Sequence, residues 1–219
     1  MLKRVETETR KKGLFLNEKK TETMQFNQEI DILLIGRNGG VIKTVDNFKY
    51  LGGWMHSSSK DFEIRKALAW TSCHKLRKIW KSKLNRKLKV KLFLSTVESV
   101  LLYGSETWTV NKTFQKRLDG CYSRMLRMAL NISWKEKLTN QQLYGEFPSV
   151  SSKVAYRRML LAGHCVRHEE EEASKLVLWQ PTQGYRKRGR RAVNYIDTLL
   201  EDAGLEIISE LKTAMLDRD

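Results

Sequence analysis

One stretch of this sequence is strongly basic, and its residue types suit contact with phosphate groups. Residues 60–91 contain twelve Lys and Arg and two Asp and Glu, so twelve minus two gives +10 of the chain's net charge of +16. A charged helical face is ordinarily solvated, but this concentration of charge with an interleaved tryptophan favours phosphate contact. The predicted contact residues share one face of a helix over residues 61–84: Lys66, Trp70, Arg77 and Lys81. The opposite face is predicted to pack inward through Ile64, Leu68, Leu76 and Ile79.

Two further segments add basic side chains. Residues 114–130 have apolar residues at intervals of three and four, which predicts an amphipathic helix. Its outer face carries Lys116, Arg117, Arg124 and Arg127. The sequence QPTQGYRKRGRR at residues 180–191 cannot form a core and predicts a flexible basic arm. The basic residues of the arm are Arg186, Lys187, Arg188, Arg190 and Arg191.

His164, Cys165 and His168 are the residues whose spacing suggests metal binding. His164 and His168 share a helical face, but Cys165 points about 100° away from it. The two other cysteines, Cys73 and Cys121, are not part of a closely spaced pair of the kind found in zinc sites. We therefore predict no metal site and no cofactor.

The composition narrows the class of protein. Lys and Arg number 41 against 25 Asp and Glu, and the pI is about 9.8, which indicates a polyanionic partner such as RNA, DNA or an anionic membrane surface. Three widely spaced cysteines form no disulfide framework. The N-terminal residues lack the apolar core of a signal peptide, and no later segment is predicted to span a bilayer. We expect an intracellular protein, nuclear or cytoplasmic.

The predicted secondary structure changes near residue 57, from short strands to helices. Before it, the sequence predicts a short helix at residues 1–12, ended by Gly13, and then short strands. The predicted strands are residues 14–16, 21–26, 31–35, 41–45 and 48–55. The tetrapeptide RNGG at residues 37–40 predicts a hairpin, and Gly52 and Gly53 predict a bend in the last strand.

After residue 57 the sequence predicts helices around one central segment. Residues 93–103 are apolar on nearly all sides, which predicts a buried helix that ends near Gly104 and leaves Ser105 and Glu106 exposed. Glu98 is its one ionisable interior residue, and we predict that it pairs with a basic neighbour or lies at the rim. Residues 61–130 should form a three-helix bundle. Its predicted core is Phe93, Val97, Leu101, Leu118, Tyr122 and Met125.

Further helices are predicted towards the C-terminus, so the fold class is mainly α with a small N-terminal α+β remnant. These helices begin near Thr139 and at residues 151, 192 and 206. Ser58 and Asp61 have the spacing of a capping box at the start of the bundle. The helix over residues 151–168 is predicted to face inward through Val154, Met159, Leu161, Ala162 and Cys165.

Five segments, in this order, resemble the C-terminal part of reverse transcriptases from non-LTR retrotransposons. They are GLFLNEKKTETM, FKYLGGWM, VESVLLYGSETW, LDGCYSRMLR and RRMLLAGHCVRH. The resemblance extends from about Val5 to Arg218 and implies three parts. Residues 1–56 would be a palm remnant with a primer-grip-like hairpin, and residues 57–133 a thumb-like three-helix bundle. Residues 134–219 would be a helical C-terminal region that includes the basic arm.

The resemblance also implies roles for individual residues. Lys20 matches the lysine that these polymerases place near the departing pyrophosphate, in a segment that includes Gly13, Leu14, Asn17 and Thr21. The primer-grip-like residues are Phe48, Lys49, Tyr50, Leu51, Gly52 and Gly53. The thumb would hold a duplex, and the arm would contact template RNA or target DNA.

One departure from the family concerns catalysis. Polymerisation requires metal ions held by palm carboxylates, and no Asp-Asp pair occurs in this sequence. The resemblance therefore implies a truncated member of the RNA-directed DNA polymerase family, with no catalytic residues, that binds RNA or DNA without polymerising alone. Two alternatives stay open: a protein-interaction module that docks through the exposed palm edge, and a degenerate fragment with no selected function.

Overall fold

The computed structural model describes residues 2–25, 34–36, 39–54, 57–145, 147–168, 170–180 and 193–217. Helices predominate over a few short N-terminal strands, which confirms the predicted fold class. The chain divides into two compact units, Met1–Ser57 and Ser58–Asp219. None of the helices that the structure describes has the length and hydropathy needed to cross a bilayer.

The N-terminal unit begins with helix α1, Leu2–Lys11, which is followed by Gly13 at φ +72°. Its strands are β1 (Glu22–Thr23), β2 (Leu34–Ile35), β3 (Val41–Thr44), β4 (Lys49–Tyr50) and β5 (Gly53–Trp54). Strand β3 pairs in parallel with β1 and antiparallel with β2, which confirms the predicted hairpin between β2 and β3. Strands β4 and β5 form a separate antiparallel pair.

Two strand predictions in this unit are wrong. Residues 14–16 form no strand, because the Leu14 backbone N–H donates to the Thr9 carbonyl (3.0 Å) and closes α1 instead. Residues 48–55 are not one strand, since Leu51 (φ +46°) and Gly52 (φ +84°) form a two-residue turn between β4 and β5. The predicted strand residues 26, 31–33 and 55 lie outside the described part of the chain.

The second unit is helical. Its helices are α2 (Ser58–Lys75), α3 (Arg77–Trp80), α4 (Arg86–Phe93), α5 (Ser99–Leu101), α6 (Lys112–Leu130), α7 (Asn140–Tyr144), α8 (Val150–Arg167), α9 (Glu172–Val177), α10 (Tyr195–Ala203) and α11 (Ile208–Leu216). A π-helical turn, Leu94–Glu98, joins α4 to α5 and is closed by the Ser99 N–H donating to the Leu94 carbonyl. Asn85, Asn111, Thr139 and Ser149 cap the helices that follow them, because each side chain accepts a backbone N–H of the first turn.

The main hydrophobic core lies between α2, the α4–α5 segment and α6. All six predicted core residues are buried, which confirms the bundle core: Phe93, Val97, Leu101, Leu118, Tyr122 and Met125. Helices α7 and α8 add Leu143, Val150 and Val154 to this core. A second cluster forms where α8 meets α10 and α11, with Ala162, Val166, Ile196, Leu199, Leu211 and Met215 buried.

The inward face predicted for the first bundle helix is wrong at Leu68, whereas Leu76 and Ile79, which follow α2, pack against the main core as predicted. Leu68 is 47% exposed, and the buried apolar residues of α2 are Phe62, Ala69 and Cys73. The Phe62 ring determines this rotation, because it packs against Trp108 and Phe114 with ring centroids 6.0 and 5.0 Å away. The helix also ends at Lys75 and not near residue 84.

Several further residues in the second unit differ from their predicted environment. Ser105, predicted to be exposed, is fully buried. Asp61 is also buried, and its Oδ2 accepts the Trp108 indole N–H at 2.8 Å. In α8, Met159, Leu161 and Cys165 are only half-buried, whereas Arg158 is buried. Helix α9 was not predicted.

Glu98 pairs with a basic neighbour, which is one of the two environments that the sequence predicted. Its Oε2 atom accepts hydrogen bonds from the Tyr122 hydroxyl and from Lys153 Nζ, each at 2.5 Å. Burial, followed by the charge of Glu98, raises the pKa of Tyr122 well above its usual value. The carboxylate therefore joins the α4–α5 segment, α6 and α8.

Candidate nucleic-acid interface

Helices α2 and α6 run side by side in the same direction. Phe62 packs on Phe114 near the start of both helices, whereas the Cys73 thiol lies 3.9 Å from the Met125 carbonyl oxygen near their ends. Later residues of α2 therefore contact later residues of α6, as expected for parallel helices. We call the exposed and half-exposed residues along this parallel contact the α2–α6 seam: Lys66, Trp70, Arg117 and Arg124.

Three of the predicted contact residues on the seam are cations, namely Lys66, Arg117 and Arg124. The Glu63 carboxylate pairs with both Lys66 and Arg117. The Lys66 hydrogen bond and the two positive charges hold the pKa of Glu63 below its usual value. Arg124 is exposed, and its Nε donates to the Gly120 carbonyl at 3.0 Å. Three cations and one carboxylate leave the seam with a net positive charge.

Trp70 lies on the same seam but packs inward. Its ring is half-buried against the main core, and it stacks on His74 with centroids 5.6 Å apart and an interplanar angle of 29°. It also lies against the Cys121 thiol, whose pKa is raised by burial. Much of this indole surface is therefore occupied by packing within the bundle.

The other two predicted bundle residues, Arg77 and Lys81, lie at the far end of the seam. They line a groove of about 490 Å³ that we call the terminal groove. Its other lining residues are His74, Trp80, Arg127, Met128, Asn131, Ile132 and Ser133. An Nη2 of Arg127 donates to the Leu138 carbonyl and to Asn140 Oδ1, each at 2.9 Å, and this fixes its guanidinium.

The connection from α2 to α4 adds cations that are not among the predicted contact residues. Residues 74–91, which we call the basic corner, contain nine Lys and Arg and no Asp or Glu. Lys89 is buried and donates to the Trp80 carbonyl at 2.6 Å, whereas the other eight are exposed. Those outside the predicted set are Lys75, Lys78, Lys83, Arg86, Lys87 and Lys91. The excess of Lys and Arg over residues 60–91 indicated a basic surface here. The predicted contact face, however, assumed one continuous helix to residue 84, whereas α2 ends at Lys75.

The primer-grip-like residues form the β4–β5 hairpin of the N-terminal unit. Lys49, Tyr50 and Leu51 are exposed, and the glycine at position 52 suits the positive φ of the turn. Phe48, Gly52 and Gly53 are half-buried. Lys20 is exposed in a turn, where its backbone N–H donates to the carbonyl of Asn17 at 3.0 Å.

The remaining candidates are the basic arm and the histidine pair. Arg186, Lys187, Arg188, Arg190 and Arg191 lie outside the described residues. The rings of His164 and His168 are 4.6 Å apart, and Cys165 next to them is half-buried. Across the described part of the chain, no three His, Cys, Asp or Glu side chains are grouped closely enough to hold a metal ion.

Comparison with known proteins gives one informative similarity. No protein-family model matches the chain, and no solved structure matches it. The chain is similar to a Caenorhabditis elegans protein described as transposon-derived, with 27% identity over 190 residues, which is 80% of this chain and 68% of that protein. This similarity supports a transposon-related origin for the chain.

Proposed function

We propose that this chain binds RNA or DNA through the α2–α6 seam and the basic corner, and that it derives from the reverse transcriptase of a non-LTR retrotransposon. The observation that carries the binding proposal is the eight exposed cations of residues 74–91, with no carboxylate in that segment, next to a net-positive seam. Lys and Arg clustered on one surface supply the sequence-independent part of nucleic-acid affinity.

The geometry of α6 suits the phosphates of one strand. Arg117, Arg124 and Arg127 span ten residues of a helix, or about 15 Å at 1.5 Å per residue. Phosphates of one DNA strand are spaced about 3.4 Å along the helix axis, so this length faces about four of them. Because α6 packs firmly on α2, these cations keep a fixed spacing, which favours a duplex of regular shape over a flexible strand.

The proposed origin is supported by the five segments that resemble the reverse transcriptases and by the similarity to a transposon-derived protein. In this proposal residues 57–133 are the thumb and the β4–β5 hairpin is the primer grip. Because the sequence has no Asp-Asp pair, the chain should not polymerise alone. Incubation with a primer–template and magnesium or manganese should give no extension, and template-dependent extension by the pure chain would contradict the proposal.

A salt series tests the binding proposal. Arg117→Gln/Arg124→Gln removes two seam cations, so the log–log salt slope for duplex DNA should fall by about 1.8, at about 0.9 per lost contact. The matched control, Arg4→Gln/Lys175→Gln, removes two exposed cations elsewhere and should leave the slope unchanged. Duplex affinity should fall more than single-strand affinity in the seam variant. Equal losses in the seam and control variants would refute a specific surface.

The basic arm should act differently from the seam. Because it is predicted to be flexible, neutralising its five Lys and Arg residues should weaken duplex and single-strand binding by similar factors. Fluorescence anisotropy with both probes measures this directly. A loss confined to duplex DNA would show that the arm adopts a fixed, shape-selective conformation when bound.

A second candidate function, a protein-interaction module, is favoured by the surface of the N-terminal unit. Of its described residues, Ile42 is the one apolar side chain that is fully buried. Large apolar side chains are exposed on it: Leu14, Phe15, Ile35, Val41, Tyr50 and Leu51. Short strands with apolar surface favour association with another chain. If the partner is a second copy, sedimentation should show self-association that Phe15→Ser/Leu51→Ser weakens, whereas a monomer at all concentrations would exclude that partner.

A further inference from the structure

The terminal groove differs chemically from the open basic surface beside it. Its lining residues include four basic ones, His74, Arg77, Lys81 and Arg127, of which the first three are exposed and form the rim. Its apolar lining residues, Trp80, Met128 and Ile132, are buried or half-buried and form the floor. Among the described lining residues there is no carboxylate. Phosphate contacts alone require no apolar floor, so this combination fits a ligand that has both an anionic group and an apolar face.

We propose that the terminal groove holds one unpaired nucleotide at the end of a duplex bound on the α2–α6 seam. This inference rests on the proposed function. The phosphate of the nucleotide would lie against Arg77, Lys81 and Arg127, which supply charge-assisted hydrogen bonds. The base would lie over the apolar floor beside the His74 ring, since contact with a ring face or an apolar side chain tolerates any base.

The walls of the groove are held in place by contacts that a ligand does not have to supply. Trp80 is fixed at both ends, because its indole N–H donates to the Cys73 carbonyl at 2.8 Å and its own carbonyl accepts Lys89 Nζ. Arg127 is fixed by its bonds to the segment around α7. Asn131 ends α6 in a left-handed conformation with φ +55°. A preformed site of this kind loses little conformational entropy on binding.

Size and position both suit a single nucleotide. A groove of about 490 Å³ lies within the range of about 300–1,000 Å³ that is typical of small-ligand sites. It contains Arg127, which follows Arg117 and Arg124 along α6. A strand whose phosphates follow the seam therefore reaches the groove at the end of α6.

Binding of matched duplexes tests this inference. The probes are a blunt duplex, the same duplex with a one-nucleotide overhang, and the same duplex with an abasic overhang. Base stacking adds enough affinity that the overhang should tighten binding about tenfold at fixed salt, and the abasic overhang should not. A gain that persists with the abasic overhang would overturn the inference, because the groove would then recognise phosphate alone.

Variants of the groove separate this site from the seam. Asn131→Asp/Ser133→Asp adds two carboxylates at exposed positions, and aspartate tolerates the left-handed backbone at 131. This variant should lose the gain from the overhang while losing much less affinity for the blunt duplex. The control, Ser209→Asp/Thr213→Asp, makes the same charge change on exposed positions of α11 and should keep the gain. Circular dichroism confirms that both variants fold.

The outcomes distinguish failure of this inference from failure of the proposed function. Loss of the overhang gain in the groove variant alone supports the inference. Equal binding of blunt and overhanging duplexes by the unsubstituted chain overturns the inference but leaves duplex binding on the seam intact. Absence of any duplex binding overturns the proposed function and the inference together.

Discussion

Replacing Lys153 by methionine should strongly destabilise the second unit. Lys153 Nζ lies 2.5 Å from Glu98 Oε2, and their side chains are only 16% and 10% exposed. Methionine keeps most of the volume of the lysine stem but removes the cation. The Glu98 carboxylate would then accept only the Tyr122 hydroxyl among the partners described for it, in a site with little access to water.

The expected loss follows from that burial. Removing one partner of a buried ion pair costs about 3–5 kcal/mol, and we expect about 3 kcal/mol because both side chains keep some solvent contact. A domain of about 150–250 residues loses about 2–4 °C of Tm per kcal/mol, so the Tm should fall by about 6–12 °C. The loss should depend only weakly on salt, since solvent ions screen buried pairs less than exposed ones.

A double-mutant cycle measured by urea unfolding checks the reasoning. Glu98→Gln/Lys153→Met removes both charges, while the carbonyl of the introduced glutamine can still accept the Tyr122 hydroxyl. This variant should be within about 1 kcal/mol of the original stability, which gives a coupling of about 2 kcal/mol or more. Lys116→Met is the control, because Lys116 is exposed on α6. A loss below about 0.5 kcal/mol in Lys153→Met would show an ordinary surface pair and refute the argument.

Three further predictions concern stability and binding. Leu101→Ala should cost about 2–5 kcal/mol because Leu101 is fully buried, whereas Leu160→Ala, at a 52% exposed site, should cost less than about 0.5 kcal/mol in the same urea assay. Burial raises the pKa of Cys73 to about 11, so the folded state keeps a proton that the unfolded state loses above about pH 8.5. Cys73 alone should therefore lower the free energy of unfolding by about 1.4 kcal/mol per pH unit between about pH 8.5 and 11, and Cys73→Ala should remove that contribution. Trp70→Ala should lower stability but leave single-strand affinity of the folded protein within about twofold; a larger loss, of about 1–3 kcal/mol, would indicate stacking on bases.

The bundle core was predictable because its residues repeat at helical spacing on α6 and on the segment that contains the π-helical turn. Helix α2 was not, since apolar residues lie on several of its faces, among them Phe62, Leu68 and Trp70. Local periodicity does not identify which of these faces meets a neighbouring helix. The rings of Trp108 and Phe114 decide it, and both come from later in the chain.

Buried polar pairs were the least predictable feature of the core. Arg158 is 2% exposed, and its Nε donates to Asp202 Oδ2 at 2.7 Å while its Nη1 donates to the Trp108 carbonyl. Burial outweighs the charge of Arg158, so the pKa of Asp202 is still raised. From the sequence alone, an arginine in a helix is expected at the surface. Its burial could not be predicted here, because Asp202, the carboxylate that pairs with Arg158, is distant along the chain.

The candidate interface was predictable in charge but not in shape. The sequence contained the excess of Lys and Arg, and it placed basic residues on what became α2 and α6. It did not contain the parallel arrangement of these helices, which arises from tertiary contacts such as that between Cys73 and Met125. The terminal groove depends on that arrangement, since α3 and the end of α6 form its walls.

The π-helical turn has a consequence for how this segment can change during evolution. Its Ser99-to-Leu94 hydrogen bond spans one residue more than an α-helical turn would, so deletion of a single residue there would restore an α-helical turn and keep the two flanking parts of the helix in phase. Phe93 and Leu101 would then be separated by seven α-helical positions and would still face the same core. Ser95 and Ser99 are exposed and should accept many substitutions, and related sequences with one residue fewer in this turn should keep Phe93 and Leu101 in the core.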